Sequence, residues 1–150
     1  ASDVYKRQGI ISTKFRYRIK ELLDQHFPED FLDIIIGGED VKTPKPSPEG
    51  LLLAIKQLHV TKAETLYIGD STVDAETAQK AGVDFAGITH GMTTAEELQR
   101  YPHKKIMDSL EELLKQEPLP AKAPKNSNVR QIIFLLALSA ALAALFYFLT

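Results

Sequence analysis

The chain has 150 residues, 44% of them hydrophobic, with a formal net charge of −2, which fits one globular domain plus attachments. Mild acidity gives no support to nucleic-acid binding, which needs a basic face. The absence of cysteine excludes disulfides and thiolate metal sites.

The amino terminus opens Ala1-Ser2-Asp3, with no methionine and no basic-then-apolar leader. Asp3 to Gln8 back-translate to a string that resembles the transposon end used to fragment DNA for sequencing libraries. Residues 1–8 are therefore expected to be a non-native junction, with Gly9 the first genuine residue; an ordinary polar tail is the alternative.

Gly9-Ile10-Ile11 reads as a short buried strand with hydroxyls, Ser12 and Thr13, at its carboxyl end. Tyr17, Ile19, Leu22, Leu23 and Phe27 recur at helical spacing, and Pro28 closes that helix. Phe31 to Ile36 is strand-like and stops at Gly37-Gly38. After a polar loop, Ser47 with Pro48 at the first helical position starts a helix whose buried face is Leu51, Leu52, Ile55 and Leu58. Thr61 and Glu64 have capping-box spacing.

Leu66-Tyr67-Ile68 is a strand ending in Gly69. It places Asp70 at the strand's carboxyl end and Asp74 in the first turn of the next helix. Ala75, Ala78 and Ala81 give that helix a slim packing face, and Gly82 caps it. Val83 to Ile88 is a further strand, Thr93 to Glu96 a capped helix start, and Asp108 to Leu114 a last helix. Strands alternating with helices at these intervals argue a parallel α/β sheet.

Residues 118–130 read as a linker, stiffened by Pro118, Pro120 and Pro124. From Ile132 to Leu149 every residue is apolar or small, with Ser139 and Tyr147 the exceptions in polarity. As a helix those eighteen residues would span ~27 Å, close to the roughly 30 Å of bilayer hydrocarbon. A buried core helix normally shows a polar stripe, and this segment is apolar all round. Residues 131–150 are expected to be a transmembrane helix with a lipid bilayer as partner. Lys122, Lys125 and Arg130 before it put the soluble part on the cytoplasmic side.

Ligands of open α/β sheets bind at the carboxyl edge of the strands, where the chemistry-bearing residues gather. Ser12 and Thr13 offer hydroxyl and backbone donors to phosphate oxygens, and Lys45, flanked by Pro44 and Pro46, offers a cation. Asp70 can ligate Mg²⁺, which prefers oxygen ligands. Asp74 can ligate too, orient the ion's waters, or pair with Lys45. Together they suit stabilisation of a transferring phosphoryl group. Each residue alone has a plainer reading: Asp70 as a helix cap, Lys45 as a solvated lysine, the hydroxyls as ordinary strand ends. His26, His59, His90 and His103 lack metal-ligand spacing.

Gly9-Ile-Ile-Ser12-Thr13-Lys14, Lys45-Pro-Ser-Pro48-Glu49 and Gly69-Asp70-Ser-Thr-Val-Asp74 follow one another in the order of the second, third and fourth motifs of the haloacid dehalogenase (HAD) superfamily. From Gly9 to about Leu114 the chain resembles its phosphoglycolate phosphatase-like hydrolases. The resemblance implies a Rossmann-like parallel sheet over residues 9–117 and Mg²⁺-dependent hydrolysis of a small phosphorylated metabolite through an aspartyl-phosphate. It makes Ser12, Thr13 and Lys45 phosphate-binding, Lys45, Asp70 and Asp74 catalytic, and Asp70 with Asp74 the metal ligands.

The family's nucleophile and general acid form an Asp-x-Asp pair on the first, central strand, and no Asp-x-Asp occurs in this chain. The helical cap between the first and second motifs is absent as well. The expected fold is thus a partial core without its middle strand, either gapped or with the flanking strands paired directly. The fragment itself is expected to be inactive. A catalytically dead, membrane-tethered binding or scaffold module is the alternative, with a receiver-type domain or a mutase further options.

Overall fold

The computed structural model describes residues 7–25, 29, 32–89, 92–109, 112 and 133–137. In chain order these form β1 (Gln8–Ile11), α1 (Arg16–Asp24), β2 (Ile34–Ile36), a 3-10 turn (Gly38–Asp40), α2 (Glu49–Gln57), a 3-10 turn (Lys62–Glu64) and β3 (Thr65–Gly69). Then come α3 (Thr72–Ala81), β4 (Asp84–Ile88), α4 (Ala95–Gln99), β5 (Lys105–Met107) and β6 (Ile133–Ala137). The strands make a six-stranded sheet in the order β2-β1-β6-β3-β4-β5, and every pairing is parallel.

Parallel strands buried on both faces send alternate side chains to opposite sides, and the apolar runs divide accordingly. Ile11, Ile36, Tyr67 and Phe85 pack with Leu51, Ala54, Ala75, Ala78 and Leu98 from α2, α3 and α4. Ile10, Ile68, Ala86 and Ile88 pack with Ile19 and Leu23 of α1. Burying one such side chain stabilises the fold by roughly 1.5–3 kcal/mol. The alanine face of α3 is fully buried, so this helix lies close to the sheet.

Several boundaries move for local reasons. Pro48 is the residue before α2 and not its first helical residue. The Thr61 side chain makes no cap bond to the turn after it; instead its carbonyl accepts from the Thr65 hydroxyl at 2.8 Å. The second capping box forms at Thr94 with Glu97, one residue later than expected. Strand β5, three residues long, lacks the length and turn signals that would announce it. Its pairing with β4, Gly87 opposite Ile106, makes it a strand. Of the expected last helix, Glu112 alone is described as helical. Phe27, Pro28 and Phe31 lie outside the described residues, as do 1–6 and 113–132.

The largest correction concerns the middle of the sheet. β1 and β3 neither face a gap nor pair with each other: β6 lies between them. Ile10 pairs with Leu136 on one side, and Ile68 pairs with Leu136 on the other. Residues 133–137 are therefore a strand where a transmembrane helix was expected, and among the described residues no helix is long and apolar enough to cross a membrane. The physical reason is the sheet's own demand. Without a middle strand, two rows of backbone N–H and C=O groups stay unpaired next to the core, which is costly. An apolar run rich in Ile, Phe and Leu satisfies both rows. Residues 131, 132 and 138–150 lie outside the described residues.

Candidate active site

The two strands that flank β6 end at the same edge, each followed by a polar residue. β1 runs out at Ile11, and Ser12 follows, its N–H donating to the Ile36 carbonyl at 3.0 Å and its Oγ accepting from the Lys14 N–H at 3.1 Å. Ser12 is buried, while Thr13 is exposed. β3 runs out at Gly69, and Asp70 follows, half-buried.

Lys45 sits on the loop between the first 3-10 turn and α2. Glu49, in the first turn of α2, accepts the N–H groups of Lys42 and Thr43 at 2.8 and 2.9 Å. Those backbone hydrogen bonds hold its carboxyl below the usual glutamate range. Ser47 N–H closes the loop onto the Pro44 carbonyl at 3.0 Å, and the Lys45–Pro46 peptide is cis. Ser12, Thr13, Thr43, Pro44 and Lys45 line one small cleft, floored by Ile11, Ile36, Val41 and Gly50.

Asp74 is the hub of the site. It is 1% exposed, and three donors converge on it: Lys45 Nζ at 2.7 Å and the Tyr67 hydroxyl at 3.3 Å on Oδ1, and Ser71 Oγ at 2.7 Å on Oδ2. Ser71 also caps α3, accepting the Asp74 N–H at 3.3 Å. The carboxylate thus lies in the first turn of α3, where the helix dipole favours negative charge. Burial pushes the Tyr67 phenol well above its ordinary value, and the nearby Asp74 and Asp70 carboxylates push it further. It stays a neutral donor to Asp74. A Cβ at Gly69 would lie 2.3 Å from Asp74 Cβ, so only glycine lets the buried carboxylate lean over the end of β3.

Four of the five expected site residues are therefore brought together: Ser12 and Thr13 share the cleft with Lys45, and Lys45 is paired with Asp74. Asp70 stands at the end of the adjoining strand, near enough to Tyr67 to act on its phenol. It does not cap α3, a role that falls to Ser71. Asp74, an expected metal ligand, has its two oxygens engaged by a lysine, a phenol and a serine. Among the described residues no cluster of three or more His, Asp or Glu is arranged to hold a metal ion. Tyr67, Ser71 and Glu49 carry roles that the motifs do not announce. The Ser71-x-x-Asp74 spacing is a readable cap signal, whereas the Tyr67 contact exists only through the packing of α3 on β3.

Comparison with known proteins agrees with this geometry. The family described as haloacid dehalogenase-like hydrolase matches residues 4–88. Phosphoglycolate phosphatase of Salmonella paratyphi A is 33% identical over 112 residues, covering 75% of this chain and 44% of that protein. Phosphoglycolate phosphatase of Escherichia coli is 30% identical over 120 residues, covering 80% and 48%. The chain spans about half the length of these curated relatives. Among solved structures, a haloacid dehalogenase-like hydrolase from Bacteroides fragilis superposes with a TM-score of 0.70 at 61% identity, over 71% of this chain and 51% of that one. The chain belongs to the haloacid dehalogenase-like hydrolase family.

Proposed function

We propose that these residues form the phosphate-binding half of a Mg²⁺-dependent phosphatase acting on a small phosphorylated metabolite of the phosphoglycolate kind. The observation that carries this reading is the Lys45 ammonium, fixed at 2.7 Å on buried Asp74 in a cleft whose other polar lining includes Ser12 and Thr13. A cation so held meets an incoming phosphate without having to be ordered first. The Ser12 hydroxyl and the backbone beyond it supply neutral donors.

Asp70 is the carboxylate that would hold Mg²⁺, together with the substrate's own phosphate oxygens and water; this ion commonly takes only one or two protein carboxylates. The ion would neutralise charge on the phosphate. Asp74 serves as the anchor of Lys45, since its oxygens already have donors. The covalent step of the implied aspartyl-phosphate route needs a carboxylate nucleophile between Ser12 and Asp70. The strand found there is β6, and no acid occurs from residue 131 to residue 150.

The reading therefore separates binding from turnover. Titration calorimetry with phosphoglycolate and Mg²⁺ is expected to show binding that Lys45→Met weakens about tenfold or more, the value of one charge-assisted contact. A phosphatase assay on the same protein is expected to show no turnover. Clear activity that disappears in Asp70→Asn would refute this view of the chain. The origin of residues 1–8 belongs to the same reading: a continuous native reading frame upstream of Gly9 would overturn their assignment as a junction.

A second reading is favoured by the absence of any acid in β6, the strand between Ser12 and Asp70: a catalytically inactive binding or scaffold module, which in its membrane-tethered form would hold residues 9–117 on the cytoplasmic side.

A further inference from the structure

We infer that Arg16, Glu39 and Asp40 are positioning residues of the phosphate cleft: the turn that leads to the Lys45 loop grips the loop carrying Ser12 and Thr13, and so fixes the spacing between the two. This rests on the phosphate-binding reading above and adds what sets its geometry.

Ser12 and Lys45 reach the cleft from separate segments, and one phosphate engages both only if their spacing is held. Residues 12–15 form neither helix nor strand. Their internal support is the bond from the Lys14 N–H to Ser12 Oγ at 3.1 Å, which uses the hydroxyl as an acceptor and leaves its hydrogen to donate. The helix that follows, α1, has no side-chain cap at Phe15 and no acid in its first turn, although the first N–H groups of a helix need acceptors from outside it.

The 3-10 turn Gly38–Asp40 supplies what is missing. Glu39 accepts the N–H of Arg16, the first residue of α1, on both carboxylate oxygens at 2.9 and 3.0 Å. Asp40 accepts the Arg16 guanidinium on Oδ1 and the Gly37 N–H on Oδ2, the latter at 2.8 Å. The Gly38 N–H donates to the Lys14 carbonyl at 2.9 Å. Two glycines let the segments meet: a Cβ on Gly38 would stand 2.5 Å from the Thr13 carbonyl oxygen, and one on Gly37 2.7 Å from the Arg16 nitrogen. Just beyond Asp40, Val41 and Thr43 join Thr13 and Lys45 in lining the cleft. The turn therefore touches one wall and continues into the other.

Charge separates this role from a plain electrostatic one. Carboxylates next to a phosphate cleft repel an anion, yet here all four of their oxygens are taken up by donors of Arg16 and Gly37. Asp40→Asn removes a negative charge, which by itself tightens anion binding. It also turns one of two accepting atoms into a donor that faces a donor, which through the loop weakens binding. The two roles predict opposite signs.

Titration calorimetry with phosphoglycolate and Mg²⁺ reads that sign on the full chain. Asp40→Asn is expected to bind about tenfold more weakly than the parent chain. Gly38→Ala parts turn and loop without altering any charge and is expected to weaken binding as well. Glu21→Gln, which removes an exposed acid of α1, is expected to bind like the parent. Hydrogen exchange on the parent chain needs no variant. Binding and bracket stabilise each other reciprocally, so saturating phosphoglycolate should slow exchange of the Arg16 and Gly38 N–H groups severalfold. Binding in Asp40→Asn as tight as in the parent, or unchanged exchange at Arg16 and Gly38, overturns the positioning role alone. Binding absent from the parent chain, or indifferent to Lys45→Met, overturns the phosphate reading and this inference with it.

Discussion

Lys45 and Asp74 are 29 positions apart in the chain, yet their side chains form an ion pair at 2.7 Å, 15% and 2% exposed. Removing one member of such a pair leaves the other charge buried without its partner. Lys45→Met is expected to destabilise the fold by about 3–5 kcal/mol, read from urea unfolding. Lys45→Met combined with Asp74→Asn is expected to recover part of that loss, because the buried charge has gone. Tyr67 adds a pH dependence from the alkaline side. Its folded-state pKa is raised above the ordinary 10.0, so its contribution is fully present below pH 10 and is lost as pH rises from there through the folded value. Stability is expected to be lower at pH 11 than at pH 9, the fall beginning near pH 10 and reaching about 1.4 kcal/mol per pH unit at most. Tyr67→Phe should remove this group's part of the fall, as urea midpoints at the two pH values would show.

At the scale of elements, the site depends on how closely α3 and the Lys45 loop approach the sheet. Gly69→Ala sets a methyl within 2.3 Å of Asp74 Cβ, so the start of α3 must move off β3. Destabilisation of about 1–3 kcal/mol is expected from overpacking, together with weaker phosphate binding. The loop has its own clamp in Glu49, whose carboxyl is held below the usual range by the N–H groups of Lys42 and Thr43. A depressed carboxylate pKa contributes stability above its unfolded value, and that contribution is lost as pH falls through the folded value. Hydrogen exchange at Lys42 and Thr43 should speed up in acid relative to the rest of the sheet. Glu49→Gln should show the faster exchange already at neutral pH and little further change on acidification. At the far end of α3, Gly82 has a φ of 71°, the left-handed cap that its sequence position announced.

For the whole molecule, the pivotal fact is that the sheet's middle strand comes from the far end of the chain. Leu135→Pro would delete an N–H from a strand with neighbours on both sides, a position proline does not tolerate. Loss of cooperative unfolding and growth of light scattering are expected, since β1 and β3 would present open edges. A conservative change at a half-buried helical position, Glu76→Gln in α3, gives up only a surface ion pair with Lys80 and should leave both readouts near the parent values.

Local chemistry made much of this protein legible from its residues alone. Period and breakers gave away β1, α2, β3 and α3, because Gly69 and Gly82 act within a few residues of where they stand, whereas the cap of α3 falls to Ser71 and not to Asp70. The motif order carried the family, and with it the expectation of a site at Ser12, Lys45, Asp70 and Asp74. What stayed hidden was whatever depends on a neighbour distant in sequence. β5 is a strand only because β4 lies beside it. Tyr67 became a donor to Asp74 only once α3 closed on the sheet. The apolar run at the end of the chain reads equally well as a bilayer helix or a buried strand, because hydrophobicity records how much surface must leave water and not what will cover it. The unpaired backbone of β1 and β3 made that choice for residues 133–137.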